Sequence, residues 1–422
     1  MRILVLGSGA REHAIVLALA SEGAGHDLLA APGNAGIAQV ATLVDVDPVD
    51  PVAVSDFVET ESVDLVVIGP EAPLVAGVAD ALRSRGVPVF GPGRAAAQLE
   101  GSKAFAKRIM EAAKVPTGRA VRAQTPAEVE AALDELGAPF VVKADGLAAG
   151  KGVLVTEDRS AALAHAATYL EGGAVLIEEF LSGPEVSLFF LSDGDTVLPL
   201  SPAQDYKRAY DGDAGPNTGG MGAYSPLPWL AERFGSEREF VDLVTRDIAE
   251  PVIRRLDAEG TPFIGLLYAG LILTEQGVKV IEFNARFGDP ETQVVLPRLR
   301  TPLSGLLMAA ASGHLDHEPR PDFAPDAAVT VVLASEGYPE APVTGRVIDG
   351  ADAAASVPGV HLAHAATAVR GGALVATGGR VLSIVATGEG FGEARERAYE
   401  ALGRIHLEGS HHRTDIAARV AD

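Results

Sequence analysis

The chain has 422 residues, 47% of them hydrophobic, no cysteine and a formal net charge of −23. Its length exceeds one ordinary core and predicts two to four domains. The missing cysteines exclude disulfides, a cysteine nucleophile and thiolate metal ligands. The acidic balance argues against nucleic acid and anionic membranes as partners, and no apolar run is long enough to span a bilayer.

The opening Met1-Arg-Ile-Leu-Val-Leu-Gly7 lacks a signal-peptide cleavage pattern and reads as a first strand. Further strands are expected at Asp27–Ala30, Leu65–Ile68 and Val87–Phe90, with helices at Arg11–Ser21 and Val75–Arg85 between them. This alternation predicts βαβ units and a parallel sheet over residues 1–100. Loop signals follow three strands: Gly7-Ser-Gly9, Pro32-Gly-Asn34 and Gly69-Pro-Glu-Ala-Pro73. Ligands of open α/β sheets bind at such carboxyl ends. The first loop resists a dinucleotide reading, because Glu12 stands where the fingerprint needs Gly or Ala and the second strand ends without an acid. Its helix N-terminus and backbone N–H groups remain available for a single phosphate.

A helix is expected from about Gly101-Ser-Lys103, and residues 119–188 read as a smaller α+β unit. Within it, Pro139–Thr156 (PFVVKADGLAAGKGVLVT) sets Lys143 at the end of one apolar run and Lys151 in a glycine-rich loop before the next. The loop is not a Walker A motif, since only three residues separate Gly146 from Gly150 and a strand pattern follows. Two lysines around a loop of Cβ-free residues suit nucleotide phosphates, although Lys143 also reads as an edge lysine reaching water. Val175-Leu-Ile-Glu-Glu-Phe-Leu181, then Gly183 and Glu185, read as a strand leaving into a turn. Such a backbone can bond an adenine edge, and an acid beyond it a ribose; Glu178 and Glu179 equally fit charges on an edge strand.

Asp205–Pro228 is polar and rich in Gly and Pro, with Lys207-Arg208 near its start, and an irregular segment of that length is usually functional. A helix over Glu237–Glu259 and a hairpin of Leu266–Leu273 and Val278–Phe283 follow. On the second hairpin strand Glu282 and Asn284 share a face, a donor pair that suits Mg²⁺. Arg286, Asp289 and Glu291 crowd the turn beyond it. Past Pro325 a last α+β unit carries strands at Ala328–Ala334, Ala373–Thr377 and Val381–Ala386 and a helix at Phe391–Arg404. No nucleophile elbow or HExxH zinc motif occurs; His13 reads as structural, and His411 and His412 lack ligand spacing. Catalysis is left to positioning, metal and electrostatics.

Phosphate lysines on a small lid, an adenine strand and an acid/Asn metal strand, in that order, resemble the ATP-grasp ligases. Within that superfamily the chain resembles the phosphoribosylamine–glycine ligases almost end to end. The likeness runs through Gly7–His13, Ala31–Gly36, Gly69–Leu74, Leu99–Lys103, Lys143–Gly152, Gly215–Pro226 and Glu282–Gln293. Departures are Tyr206 and Ala285, where many members carry His and Cys, and His412 where an aromatic often precedes Arg413.

The resemblance implies three parts: a Rossmann-like N-terminal domain (1–100), an ATP-grasp domain (101–325, lid about 119–188) and a C-terminal α+β domain (326–422). It implies ATP and Mg²⁺ or Mn²⁺ as the nucleotide and metal. Glycine and 5-phosphoribosylamine would be joined through an acyl phosphate by a cytoplasmic enzyme, expected to be a monomer. ATP would be held by Lys103, Lys143, Gly150, Lys151, Gly152, Glu178, Glu179, Phe180, Leu181 and Glu185, and the metal by Glu282 and Asn284. Substrate would meet Gly9, Gly33, Asn34, Glu71, Gly219, Gly220, Met221, Arg286, Asp289 and Glu291. Arg286, Asp289, Lys151 and Asp211 would serve catalysis.

Overall fold

The structure is a computed structural model and describes residues 1–146 and 152–421. The N-terminal sheet contains Arg2–Gly7 (β1), Asp27–Pro32 (β2), Thr42–Leu43 (β3), Leu65–Ile68 (β4) and Val89–Phe90 (β5). All its pairings are parallel, in the order β3-β2-β1-β4-β5. Ile3, Leu4, Val5 and Leu6 are wholly buried, as a central strand covered on both faces requires. The order reverses between β1 and β4, which places the crevice for a ligand where Gly7 and Gly69 end their strands.

Two helical features depart from expectation. The helix expected over Val75–Arg85 is two pieces, Glu71–Ala76 and Val78–Ser84, broken at Gly77. Gly77 has φ +87°, and a Cβ there would lie 2.7 Å from the Arg94 guanidinium. A helix at Pro51–Thr60, started by the Asp50 side chain accepting from the Val52 and Ala53 N–H groups, was not anticipated.

The lid sheet is formed by Ala120–Ala123 (β6), Phe140–Ala144 (β7), Val153–Thr156 (β8) and Val175–Glu178 (β9), in the order β6-β9-β7-β8. Helices Pro126–Leu136 and Arg159–Leu170 pack on it around Val129, Leu133, Val142, Ala162, Ala166 and Ile177. The lid sheet ends at Glu178, and the next strand joins a different sheet.

Downstream strands are Glu185–Asp193 (β10), Val197–Pro199 (β11), Gln204–Asp205 (β12), Arg208–Tyr210 (β13), Ala214–Asn217 (β14), Gly222–Ser225 (β15), Ile264–Thr274 (β16) and Gly277–Asn284 (β17). They are followed by Ala327–Ala334 (β18), Val360–His364 (β19), Thr367–Arg370 (β20), Ala373–Ala376 (β21) and Arg380–Gly388 (β22). One antiparallel sheet runs β11-β10-β16-β17 and carries the metal-strand candidate at its edge. Another runs β12-β15-β18-β22-β19, so the C-terminal sheet takes two strands from the Asp205–Pro228 region. The expected helix over Glu237–Glu259 is present as Glu237–Val244 and Glu250–Ala258, joined by a π-helical turn. Among the described residues no helix is long and apolar enough to cross a membrane.

Candidate active site

The nucleotide end is built from cations held by buried acids. Lys143 lies on β7, an interior strand, and is 6% exposed, so it does not reach water from an edge. Its Nζ donates to Glu178 Oε2 at 3.0 Å, and Lys107 Nζ lies 3.2 Å from the same oxygen. Glu178 sits on β9, also interior; the edge-charge reading fails for it, because its carboxylate bridges two ammonium groups. Lys103, at the first turn of helix Lys103–Ala112, donates to the Gly146 carbonyl at 3.0 Å where the lid loop begins. Burial lowers the pKa of Lys103, and Glu282 opposes that shift.

Gly152 returns the chain to β8 and accepts from the Ala144 N–H at 2.8 Å. Gly150 and Lys151 lie outside the described residues. Glu179 Oε2 accepts from the Arg119 N–H at 3.0 Å, tying β9 to the lid's first segment. Phe180, exposed, and Leu181, partly buried, lead from β9 toward β10. Glu185 opens β10 and takes Lys207 Nζ at 2.8 Å.

Glu282 and Asn284 share one face of β17, because Phe283 between them is 2% exposed and turned into the core. Burial pushes the Glu282 carboxyl up, but Lys207, Lys143, Lys103 and Arg286 together hold it below its ordinary value. A carboxylate kept ionised beside an amide oxygen fits a hard divalent cation that completes its shell with phosphate oxygens and water. Lys207 meets Asp205 and Glu185 as well; burial alone would lower its pKa, and those carboxylates raise it well above the ordinary value. Asp205 goes the other way: burial first, with Glu291 and Glu185 adding to it, pushes its carboxyl up to about 7 against the pull of Lys207.

The substrate end collects around Arg286 and Asp289. Arg286 Nη2 lies 3.0 Å from Glu100 Oε1, and its Nε lies 3.6 Å from Glu71 Oε2. Burial would lower its pKa, yet Glu100, Glu71, Glu291 and Asp289 raise it. Among the described residues its buried Nε makes no hydrogen bond and faces the Glu71 carboxylate as an ion pair. Burial pushes the Glu100 carboxyl up although Arg286 opposes it, and Glu100 also accepts from the Ala285 N–H at 2.8 Å.

Asp289 is anchored from the C-terminal sheet. Its Oδ2 lies 3.0 Å from Arg380 Nη2, and its Oδ1 accepts from Gln293 Nε2 at 2.9 Å. Glu291, 3% exposed, accepts from Ser187 Oγ and Tyr268 OH, each at 3.0 Å. Gly219 donates to Tyr338 OH at 3.0 Å and accepts from Arg380 Nη1 at 2.5 Å. Gly220 has φ +108° and lies so close to the Pro290 ring that a Cβ has no room. The Gly219-Gly220 loop and the Asp289-Pro290 turn therefore touch.

Several expected contacts take another form. Gly9 does approach Asp289, since a Cβ on it would lie 3.9 Å from Oδ2. Its N–H, however, donates to Glu12 Oε2 at 2.6 Å and is not free for phosphate, because Glu12 folds back over the helix N-terminus. Glu12 also fills the space beside Gly7, where a Cβ would fall 2.5 Å from Glu12 Cγ. The Asn34 side chain is fully engaged: Nδ2 donates to the Ser8 and His364 carbonyls, and Oδ1 accepts from the Gly36 and Ile37 N–H groups. It ties the first two loops to the C-terminal domain. Gly33, at φ +69°, makes the turn after β2.

Met221 is wholly buried and acts as core beneath the loop. Asp211 is drawn away from the cluster: its oxygens accept from the Thr414 N–H and hydroxyl. Residues not anticipated are Lys107, Glu100, Asp205, Lys207, Tyr268, Ser187 and Arg380. Lys107 carried a signal, standing one helical turn after Lys103; Arg380 carried none.

Family models match nearly the whole chain: the N domain of phosphoribosylglycinamide synthetase over residues 1–100, its ATP-grasp (A) domain over 101–292 and its C domain over 328–419. The phosphoribosylamine–glycine ligase of Leifsonia xyli is 70% identical over 423 residues and that of Streptomyces coelicolor 58% over 424, each covering 100% of both chains. The crystal structure of the Thermotoga maritima phosphoribosylamine–glycine ligase has a TM-score of 0.81 at 34% identity, covering 98% of this chain and 100% of its own. A biotin carboxylase domain from Hydrogenobacter thermophilus shares the fold at 17% identity, with a TM-score of 0.70 over 97% of this chain and 91% of its own. On these matches and the multidomain α/β architecture above, the chain belongs to the phosphoribosylglycinamide synthetase family of ATP-grasp ligases.

Proposed function

We propose that this enzyme joins glycine to 5-phosphoribosylamine at the expense of ATP, giving glycinamide ribonucleotide, ADP and phosphate, a step of purine biosynthesis that would run in the cytoplasm. The observation that carries the chemistry is the convergence of Lys103, Lys143, Lys207 and Arg286 on Glu282. Cations gathered around an ionised acid suit a triphosphate and its metal; Glu282 and Asn284 would hold Mg²⁺ or Mn²⁺, which offsets phosphate charge when bound.

A carboxylate does not acylate an amine directly, because its leaving group is too poor. The glycine carboxylate oxygen attacks the γ-phosphorus in line, and the bond to the β-bridging oxygen breaks to release ADP. The ribosylamine nitrogen then attacks the glycyl phosphate carbonyl. The C–O bond to phosphate breaks, and the nitrogen loses its proton as the amide forms. Lys103, Lys143 and Lys151 stabilise charge at the phosphates. Arg286 receives the glycine carboxylate or the phosphoryl group in transfer. Asp289, braced by Arg380 and Gln293, and Glu291, braced by Tyr268 and Ser187, orient the substrate amines. Closure of the small lid of about residues 119–188 over the site keeps water from the acyl phosphate.

The monomer is sufficient for this scheme. An ADP-release assay with glycine, bicarbonate or formate, with and without phosphoribosylamine, tests it. Release that needs both glycine and phosphoribosylamine is the expected result. Release with bicarbonate or formate would assign the chain to another purine-pathway ligase or carboxylase.

A further inference from the structure

Arg413 is 1% exposed, the largest of the fully buried side chains, and it lies far from Glu282 in sequence. Its guanidinium is a fork with three jobs. Nε and Nη2 donate to the two oxygens of Asp415 at 2.7 and 2.6 Å. Nη1 donates to Asp213 Oδ1 at 2.8 Å and to the Arg208 carbonyl at 3.2 Å. The guanidinium carbon sits 4.8 Å from the centre of the Tyr206 ring. Nearby, the Ala417 N–H donates to Tyr206 OH at 3.0 Å and the Gly212 N–H to Asp415 Oδ2 at 2.9 Å.

Residues 206 and 208 are thus both gripped from the C-terminal segment, and the residue between them is Lys207. On its other side Lys207 is held through its carbonyl, which accepts from the Thr218 N–H at 2.7 Å and the Thr218 hydroxyl at 2.9 Å. With its backbone fixed from both directions, its ammonium meets Glu185 at 2.8 Å and acts on Glu282. With the Asp415 and Asp213 side chains 30% and 56% exposed, the ion pairs are weak evidence for stability in themselves. Their geometry is what an apolar replacement loses, because only a planar fork addresses a carboxylate and a carbonyl and also stacks on a ring.

We propose that Arg413 is a positioning residue for the ligase reaction: it aims Lys207 at the phosphate and metal end without touching substrate. The proposal rests on the function argued above. It makes the C-terminal domain a working part of the catalytic site, through Tyr206 and Arg208.

The test uses the full chain with Arg413→Ala, Arg413→Lys, Lys207→Met and the Arg413→Ala/Lys207→Met double variant. Hydrogen exchange should speed up by about tenfold or more across residues 205–217 in Arg413→Ala, with β16 and β17 unchanged. In ADP release, Arg413→Ala should lose about a hundredfold in kcat, the scale of a small misplacement at a reacting centre, with the KM for ATP unchanged. Arg413→Lys, which keeps charge but not the fork, should recover little of it. The double variant should be no slower than Lys207→Met alone. Additive losses in the double variant, or unchanged exchange over 205–217, would overturn the proposal. A wild-type enzyme that releases no ADP with glycine and phosphoribosylamine overturns the functional reading instead, and the exchange measurement still decides the clasp.

Discussion

The two ends of the site are built on different principles. At the nucleotide end, cations stand on regular elements and are paired at short range: Lys143 and Lys107 share Glu178, and Lys103 caps the lid loop through the Gly146 carbonyl. At the substrate end, loops without regular structure are held in place by another domain. Arg380 and Tyr338 grip Gly219 and Asp289. Strand and helix positions give the first end its accuracy, and long-range braces give it to the second. The nucleotide end should therefore fail through charge, and the substrate end through geometry.

The largest effect is expected at the junction of the two. Glu282→Ala should lower kcat at saturating ATP by about 10²–10³-fold, the scale of losing one preorganised electrostatic contact. Its Mg²⁺ dependence should change as well; an unaltered Mg²⁺ titration would remove Glu282 as a ligand. Lys151→Ala should lower turnover almost as strongly while the protein stays folded, and an unchanged kcat would end its role.

Next in size, Lys143→Met leaves Glu178 buried with only Lys107 to pair it. Removing one partner of a buried pair costs about 3–5 kcal/mol when nothing replaces it. Here Lys107 should limit the loss, so a modest fall in Tm should accompany weaker ATP binding. A variant with normal ATP affinity would break the assignment of that end.

Smaller again, Arg380→Ala should raise the KM for glycine or phosphoribosylamine by about tenfold, the worth of about 1.4 kcal/mol, and leave that for ATP unchanged. Equal effects on all substrates would erase the distinction between the two ends.

The last effect falls on stability and not on catalysis, at the seam between the N- and C-terminal domains. His13 Nδ1 accepts from the His364 N–H at 2.8 Å, and both rings are buried. Burial, with His364 and His361 adding to it, lowers His13 to about 3, and burial lowers His364 to about 4. Their folded pKa values lie below the unfolded value near 6.5, so the unfolded chain binds more protons between these limits. Stability is then complete above pH ~6.5 and falls on acidification by about 1.4 kcal/mol per pH unit for each such histidine. His13→Gln should flatten the decline of Tm between pH 7 and 5; an identical slope would show that the seam does not titrate.

Legibility in the sequence followed the same division. The parallel sheet, the lid, the hairpin and the Glu282/Asn284 face were readable because apolar alternation and glycine placement are local signals. The break at Gly77 was not, since it depends on Arg94 packing across the turn. Lys143 was recognised, but its reason for being buried needed Glu178 and Lys107 to meet it across the lid. The resemblance gave Asn34 as a substrate contact and Asp211 as a catalytic residue, whereas the Asn34 amide nitrogen bonds His364 and the Asp211 oxygens bond Thr414, far along the chain. Motifs mark where chemistry is concentrated; they do not say which polar atoms remain free for it.

Glu12 gives that point its sharpest form. With its carboxylate on the Gly9 N–H and its stem beside Gly7, the protein supplies its own anion to the first helix N-terminus. The crevice at the sheet's switch point is consequently self-plugged, and a free pyrophosphate entering there would have to evict a covalently attached competitor present at a very high effective concentration. The dinucleotide fingerprint is thus closed here by one side chain, the Glu12 that stands where it needs Gly or Ala.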